Sequence, residues 1–153
     1  MRKIFWFEKN FFLGLLGFFA ALILQIKFNP LFGLKINFVL MALVVLALFL
    51  DFFEVIFLEL FGVFVLNWQP NLSTETIIFF LLPAAISLIK KFLPGQIWFN
   101  GLLLIILGVL GFYYFSSLGS FLKNWPEAFG GIIATIGFGF MIFFSFYSIQ
   151  DYN

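Results

Sequence analysis

The stretch INFVLMALVVLALFLDFFEVIFLE, residues 36–59, decides the fold of this chain because it places three carboxylates inside a long apolar run. The carboxylates are Asp51, Glu54 and Glu59, and no glycine or proline interrupts the stretch. A charged group costs free energy in the core of a bilayer, where water cannot solvate it. The three positions therefore determine where the chain can cross a membrane and where it has to turn.

The composition of the whole chain is that of an integral membrane protein. Of its 153 residues, 64% are hydrophobic and 10% are charged, whereas charged residues make up about 25% of an average soluble domain. Apolar stretches recur without strict alternation, which argues against an outer-membrane barrel. In lipid, a helix satisfies its own backbone hydrogen bonds. We therefore predict an all-α, polytopic bundle, with residues 1–153 forming one integral membrane domain.

Residues 36–68 are too long for one ordinary span. A continuous helix of these 33 residues would be roughly 50 Å long, whereas the hydrocarbon core is about 30 Å thick. Asp51 and Glu54 interrupt the stretch, so we predict a tight turn there between two short spans. The alternative is one steeply tilted helix, which would give five spans instead of six.

Turn signals separate the other spans. Lys27, Asn29–Pro30 and Gly33 predict a turn, and Asn71 is expected to cap a helix that contains Pro83. The six predicted spans cover about 11–26, 36–50, 55–67, 72–89, 97–115 and 128–148, with residues 116–126 outside the membrane.

The basic residues predict the orientation of the bundle. With six spans and the N-terminus inside, Arg2, Lys3, Lys9, Lys90 and Lys91 are cytoplasmic, and Lys27, Lys35 and Lys123 are outside. This division of five against three becomes four against four with five spans. The positive-inside rule therefore favours six spans, with both termini in the cytoplasm.

Polar residues in or near the spans are candidates for contact with a partner. Asp51 and Glu54 are either solvated turn residues or partner-facing carboxylates, and Asn67 is a further partner-facing candidate. Glu59 lies about 7 Å beyond the predicted turn. It is either a protonated or snorkelling residue near the interface, or a bundle-facing group that pairs with a partner protein or lines a polar cavity.

Small residues predict close contacts between helices, since they allow two backbones to approach each other. The candidate packing residues are Gly14, Gly17, Gly62, Gly108, Gly111, Gly130 and Ala134.

No set of residues in the sequence predicts catalysis. The chain has no cysteine and no histidine, which excludes thiol chemistry, histidine-based catalysis and the usual zinc sites. No ligand cluster predicts a metal site, and no glycine motif predicts a nucleotide site. A net charge of +1 is too small to indicate nucleic acid binding. We expect a protein that is not an enzyme and holds no cofactor.

The stretch LQIKFNPLFGLKINFVL, residues 24–40, resembles the start of the rod shape-determining MreD family. Gln25, Phe32–Gly33 and Asn37 match positions of the family pattern. Lys35–Ile36 departs from it, because the family usually has proline there. Further along, Gly62 and Asn67 stand nearest to a glycine-rich span that ends in aspartate in the family, so the resemblance covers mainly residues 24–67.

The resemblance implies a non-enzymatic scaffold of the bacterial inner membrane. Such a protein would support cell-shape determination and cell-wall elongation by binding an MreC-like protein and, through it, the elongation machinery. One alternative is the substrate-binding (S-type) membrane subunit of an energy-coupling-factor vitamin transporter. That function predicts a polar pocket toward the outer face, from residues such as Asn37, Asn67, Gln69 and Asn100. A holin-like small membrane protein is the other alternative.

Overall fold

A computed structural model describes the backbone of residues 2–32, 37–66, 74–93, 97–123 and 125–151, and side chains within 11–27, 37–65, 76–93, 98–115, 126 and 129–149. All regular secondary structure in these ranges is helical, which confirms the predicted all-α class. The helices are α1 (Arg2–Phe32), α2 (Phe38–Phe49), α3 (Phe52–Leu66), α4 (Thr74–Ile89), α5 (Ile97–Lys123) and α6 (Trp125–Asp151).

The long apolar stretch forms two helices, as predicted from the positions of Asp51 and Glu54. α2 ends at Phe49, Leu50 has an extended backbone, and α3 begins at Phe52. Val39, near the start of α2, lies next to Gly62, near the end of α3, so the two helices run antiparallel. The alternative of one helix over 36–68 is therefore wrong. The break is also shorter than predicted, because Glu54 belongs to the first turn of α3.

α2 is the central helix of the bundle. Residues 38–47 are all buried, and α2 packs against each of the other five helices. With 12 residues it is only about 18 Å long. Its sequence is apolar on every side, as expected of a helix that other helices enclose.

α5 and α6 form an antiparallel pair beside α2. Tyr113 of α5 lies next to Thr135 of α6, whereas Gly101, earlier in α5, faces Phe143, later in α6. α6 runs parallel to α2, since Phe38 contacts Phe138 at the start of α2. At the end of α2, Phe49 stacks on Phe146 with ring centroids 5.6 Å apart.

Two helices continue well past their predicted ends. α1 continues through Lys27 and Asn29–Pro30 to Phe32, so the predicted turn there is wrong. Only two residues of the helix follow Pro30, so the proline affects no more than the final turn. α5 continues past Phe115 to Lys123, because a polar segment without proline can remain helical.

Further helix ends extend beyond the predicted spans, since α1 begins at Arg2 rather than near residue 11 and α6 covers Trp125–Asp151 rather than about 128–148. Pro83 lies inside α4, whereas Gly33 and Asn71 lie outside the described residues. Two segments are long and apolar enough to cross a membrane, namely Trp98–Phe115 in α5 and Phe129–Ile149 in α6. Shorter apolar helical segments cover Phe11–Lys27, Phe38–Phe49 and Thr76–Ile89.

Candidate functional site

α3 presents two faces, and its acidic residue Glu59 lies on the inner one. The buried residues of α3 recur at the spacing of one helix face, and they are Val55, Leu58, Glu59 and Gly62. The outward residues are large and apolar, and they are Phe53, Phe57, Leu60, Phe61, Phe64 and Val65. Glu59 therefore occupies a position in α3 that an apolar residue would normally fill.

The Glu59 side chain is 0% exposed and faces α4. The backbone of Ala84 approaches the carboxylate, but neither carboxylate oxygen has a hydrogen-bond partner of ordinary geometry among the described residues. This position corresponds to the bundle-facing interpretation of Glu59. A partner that binds the outer surface of the chain would not reach the side chain.

The facing part of α4 offers few groups that could compensate a charge. Pro83 has no N–H, so the carbonyl of Phe79 loses its usual donor in the helix. Ser87 is buried, and its hydroxyl donates to the carbonyl of Ala84 over 2.7 Å. A serine hydroxyl has one proton. Ser87 therefore cannot also donate to Glu59 while this bond is made.

Asp51 and Glu54 begin α3 together. The backbone N–H of Asp51 donates to Oε2 of Glu54 over 2.9 Å. In a capping box, the third residue of a helix likewise bonds back to the N-cap. Asp51 is exposed and Glu54 is half-buried. The exposure of Asp51 matches the solvated-turn interpretation, and the bond gives Glu54 a structural role.

Lys90 closes the C-terminal end of α2. Its Nζ donates to the carbonyl oxygens of Leu50, 2.5 Å away, and Leu48, 3.3 Å away. A cation at this end also interacts favourably with the helix dipole. Burial lowers the pKa of the Lys90 ammonium below its ordinary value, while the negative charge of Asp51 opposes that shift.

Two side chains close the opposite end of α2. Oδ1 of Asn37 accepts a hydrogen bond from the N–H of Leu40 over 3.1 Å. Oε1 of Gln25, on α1, accepts from the N–H of Phe38 over 2.7 Å. Gln25 and Asn37, which carry part of the resemblance to MreD, thus share one structural role at the same helix end. The partner-facing candidate Asn67 lies outside the described residues.

Most of the candidate packing glycines contact another helix. Any Cβ added to them would meet a side chain within 4 Å, and this holds for Gly14, Gly17, Gly62, Gly108 and Gly111. Gly130 differs, because a Cβ there would meet nothing within 4 Å. Ala134 is half-buried. Gly130 lies on the outer side of α6. Sequence spacing alone could not show which face of α6 points toward the other helices.

Two further contacts involve residues that were not candidates. Gly139 packs tightly against Met41 and Ile105. The hydroxyl of Thr135 donates to the Gly131 carbonyl over 2.6 Å, and the Tyr113 hydroxyl lies 3.4 Å from Thr135 Oγ1. This pair of hydroxyl groups joins α5 to α6. No sequence motif marks such a pair.

The structure describes Asn37 and Asn100 among the residues named for the pocket of the transporter alternative. Asn37 adjoins Phe38 at the start of α2. Asn100 adjoins Gly101, which faces Phe143, and Phe143 contacts Phe49 at the end of α2. The two asparagines are therefore separated by nearly the length of α2, roughly 16 Å.

The described residues contain no group of three or more histidine, cysteine, aspartate or glutamate side chains that could hold a metal ion. Comparison of the chain with models of protein families, with curated proteins and with solved structures found no match.

Proposed function

We propose that the chain is a membrane-embedded, non-enzymatic scaffold similar to MreD. The distribution of polar and apolar side chains supports a position in the membrane. Large apolar side chains face outward on α1, α3, α4, α5 and α6, with Phe53 84% exposed, whereas Glu59, Ser87 and Thr135 are 0% exposed. Soluble monomers rarely expose apolar surface of this extent, and lipid provides the matching environment.

The side chains that cap both ends of α2 also fit a position in lipid. The first N–H groups and the last carbonyls of a helix have no partners within it. In hydrocarbon each such unsatisfied group is costly. Gln25 and Asn37 at one end, with Lys90 at the other, provide side-chain partners for part of this set. A short central helix can thus be stable although it does not span the bilayer by itself.

The scaffold role rests on the resemblance. Gln25 and Asn37 support it, because two positions of the MreD-like pattern meet at the contact between α1 and α2. Under this proposal the chain binds an MreC-like protein with its bundle in the cytoplasmic membrane of a bacterium. That partner links it to the cell-elongation machinery.

Co-purification in mild detergent tests the proposal, with an unrelated polytopic protein carrying the same tag as the control. We expect an MreC-like protein with a single span to be retained by this chain and not by the control. Depletion of the chain should also cause loss of rod shape. Normal shape and wall insertion after depletion would contradict the proposal. A vitamin retained in the same preparation would favour the transporter alternative instead.

A further inference from the structure

We propose that Glu59 is a proton-binding site inside the bundle, and that its proton couples the packing of α3 on α4 to pH. This goes beyond the scaffold role and does not depend on which partner the chain binds. The site consists of a fully buried carboxyl group on α3 and the backbone of α4 around Pro83 and Ala84.

Burial without a partner favours the uncharged form of Glu59. A buried carboxylate needs hydrogen bonds or a cation to offset the loss of its hydration. The backbone of Ala84 approaches the carboxyl group, but neither oxygen of Glu59 has a hydrogen-bond partner of ordinary geometry among the described residues. The hydroxyl of Ser87 is committed to the Ala84 carbonyl. A proton bound to Glu59 removes the need for compensation.

None of the charged side chains that the structure describes on the neighbouring helices lies beside Glu59. α3 packs against α1, α2 and α4. Within the described side chains, α2 has no charged residue, and α1 has only Lys27, nine residues beyond Phe18, whose ring lies next to Gly62 of α3. On α3 itself, Glu54 is five residues away, or about 7.5 Å along the axis.

The cations that follow α4 are also distant from the site. Lys90 comes six residues after Ala84, about 9 Å further along. Its ammonium group is bound to the carbonyls of Leu48 and Leu50. Lys91 is exposed. Release of the proton from Glu59 would thus leave a negative charge in the α3–α4 contact, with no counterion beside it among the side chains that the structure describes.

The facing helix provides a place where this contact can loosen. Pro83 interrupts the hydrogen-bond ladder of α4 next to Ala84, so the helix is weakest where Glu59 meets it. Because the packed bundle binds the proton more tightly than the opened state does, stability should be greatest at low pH and should fall as pH rises through ionisation of the buried group.

Infrared spectroscopy and thermal unfolding in phosphatidylcholine vesicles test the proposal. The wild-type chain should show the carbonyl stretch of a protonated carboxylic acid at neutral pH, and Glu59→Gln should lack that band. The unfolding temperature of the wild type should fall with rising pH, and Glu59→Gln should lose most of that fall. Glu54→Gln is the matched control, and its unfolding temperature should still fall with rising pH more steeply than that of Glu59→Gln.

Three outcomes would overturn the proposal. The first is an ionised Glu59 at neutral pH, and the second is equal pH profiles for the wild type and Glu59→Gln. The third is stabilisation of the wild type by sodium ions at constant pH that is absent in Glu59→Gln, since a metal cation would then be the ligand. If Glu59→Gln does not fold, Glu59→Leu provides the uncharged reference, and it should also lose most of the pH dependence.

Discussion

At the scale of single residues, neighbouring positions of the same type have different environments. Gly137 and Gly139 are two residues apart in α6, a spacing that turns them to different sides of the helix. Open space surrounds Gly137, whereas Gly139 packs tightly against Met41 and Ile105. Identical residues in one sequence motif therefore differ in what they contribute to the fold.

This difference predicts opposite results for one substitution. Gly139→Leu should destabilise the bundle by about 1–3 kcal/mol or more, because the new side chain overlaps a close-packed contact. Gly137→Leu should be neutral or slightly stabilising, because glycine is a poor helix former. Thermal unfolding of the two variants in the same detergent provides the measurement. Equal loss of stability in both would show that α6 does not face α2 as described.

At the scale of elements, α2 depends on its neighbours at both ends. Asn37 and Gln25 satisfy N–H groups at the start of the helix, and Lys90 binds carbonyls at its end. Lys91, the next residue, is exposed and has no part in the hydrogen bonds at the end of α2. Of the two adjacent lysines, Lys90 thus has a structural role and Lys91 is exposed to its surroundings.

Lys90→Met should lower the stability of the bundle more than Lys91→Met. A hydrogen bond to a charged group contributes about 1.5–3 kcal/mol, and Lys90→Met removes two of them from the end of α2. The long apolar side chain of methionine preserves much of the packing of the lysine stem. Unfolding temperatures of the two variants compare the roles directly. A larger effect of Lys91→Met would contradict the assignment of Lys90 as the cap.

At the scale of the whole molecule, neighbouring helices run in opposite directions. α2 is antiparallel to α3, and α5 is antiparallel to α6. Lys90 reaches the end of α2, so the turn at Asp51 and the end of α4 lie at the same end of the bundle. Lys27 lies near the other end, because Gln25 of α1 bonds to the start of α2. In a membrane, these two ends correspond to opposite sides.

Single cysteines can test this arrangement, since the chain has none of its own. Asp51→Cys and Lys91→Cys should react with a membrane-impermeant maleimide only after the cells are permeabilised. Lys27→Cys should react in intact cells. If the two labelling results are exchanged, the orientation in the membrane is the reverse of the predicted one, and the fold is unaffected. Labelling of Asp51→Cys and Lys27→Cys from the same side would contradict the topology.

Sequence and structure agree best where a property is local. Composition was sufficient for the helical class, and helix length together with Asp51 and Glu54 located the break after α2. The ends of α1 and α5 were not predictable in this way. Pro30 and the polar residues after Phe115 signal a turn in isolation, yet both segments remain helical.

The sequence by itself therefore determined that the chain is all-α and that an acidic break follows Leu50, because these features depend on composition and on residues close together in the chain. The tertiary structure decided that Glu59 is enclosed between α3 and α4 and that Lys90 caps α2. It also decided which glycines meet a neighbour. These outcomes depend on the face that each helix presents to helices far away in the sequence, and helical spacing alone does not specify that face.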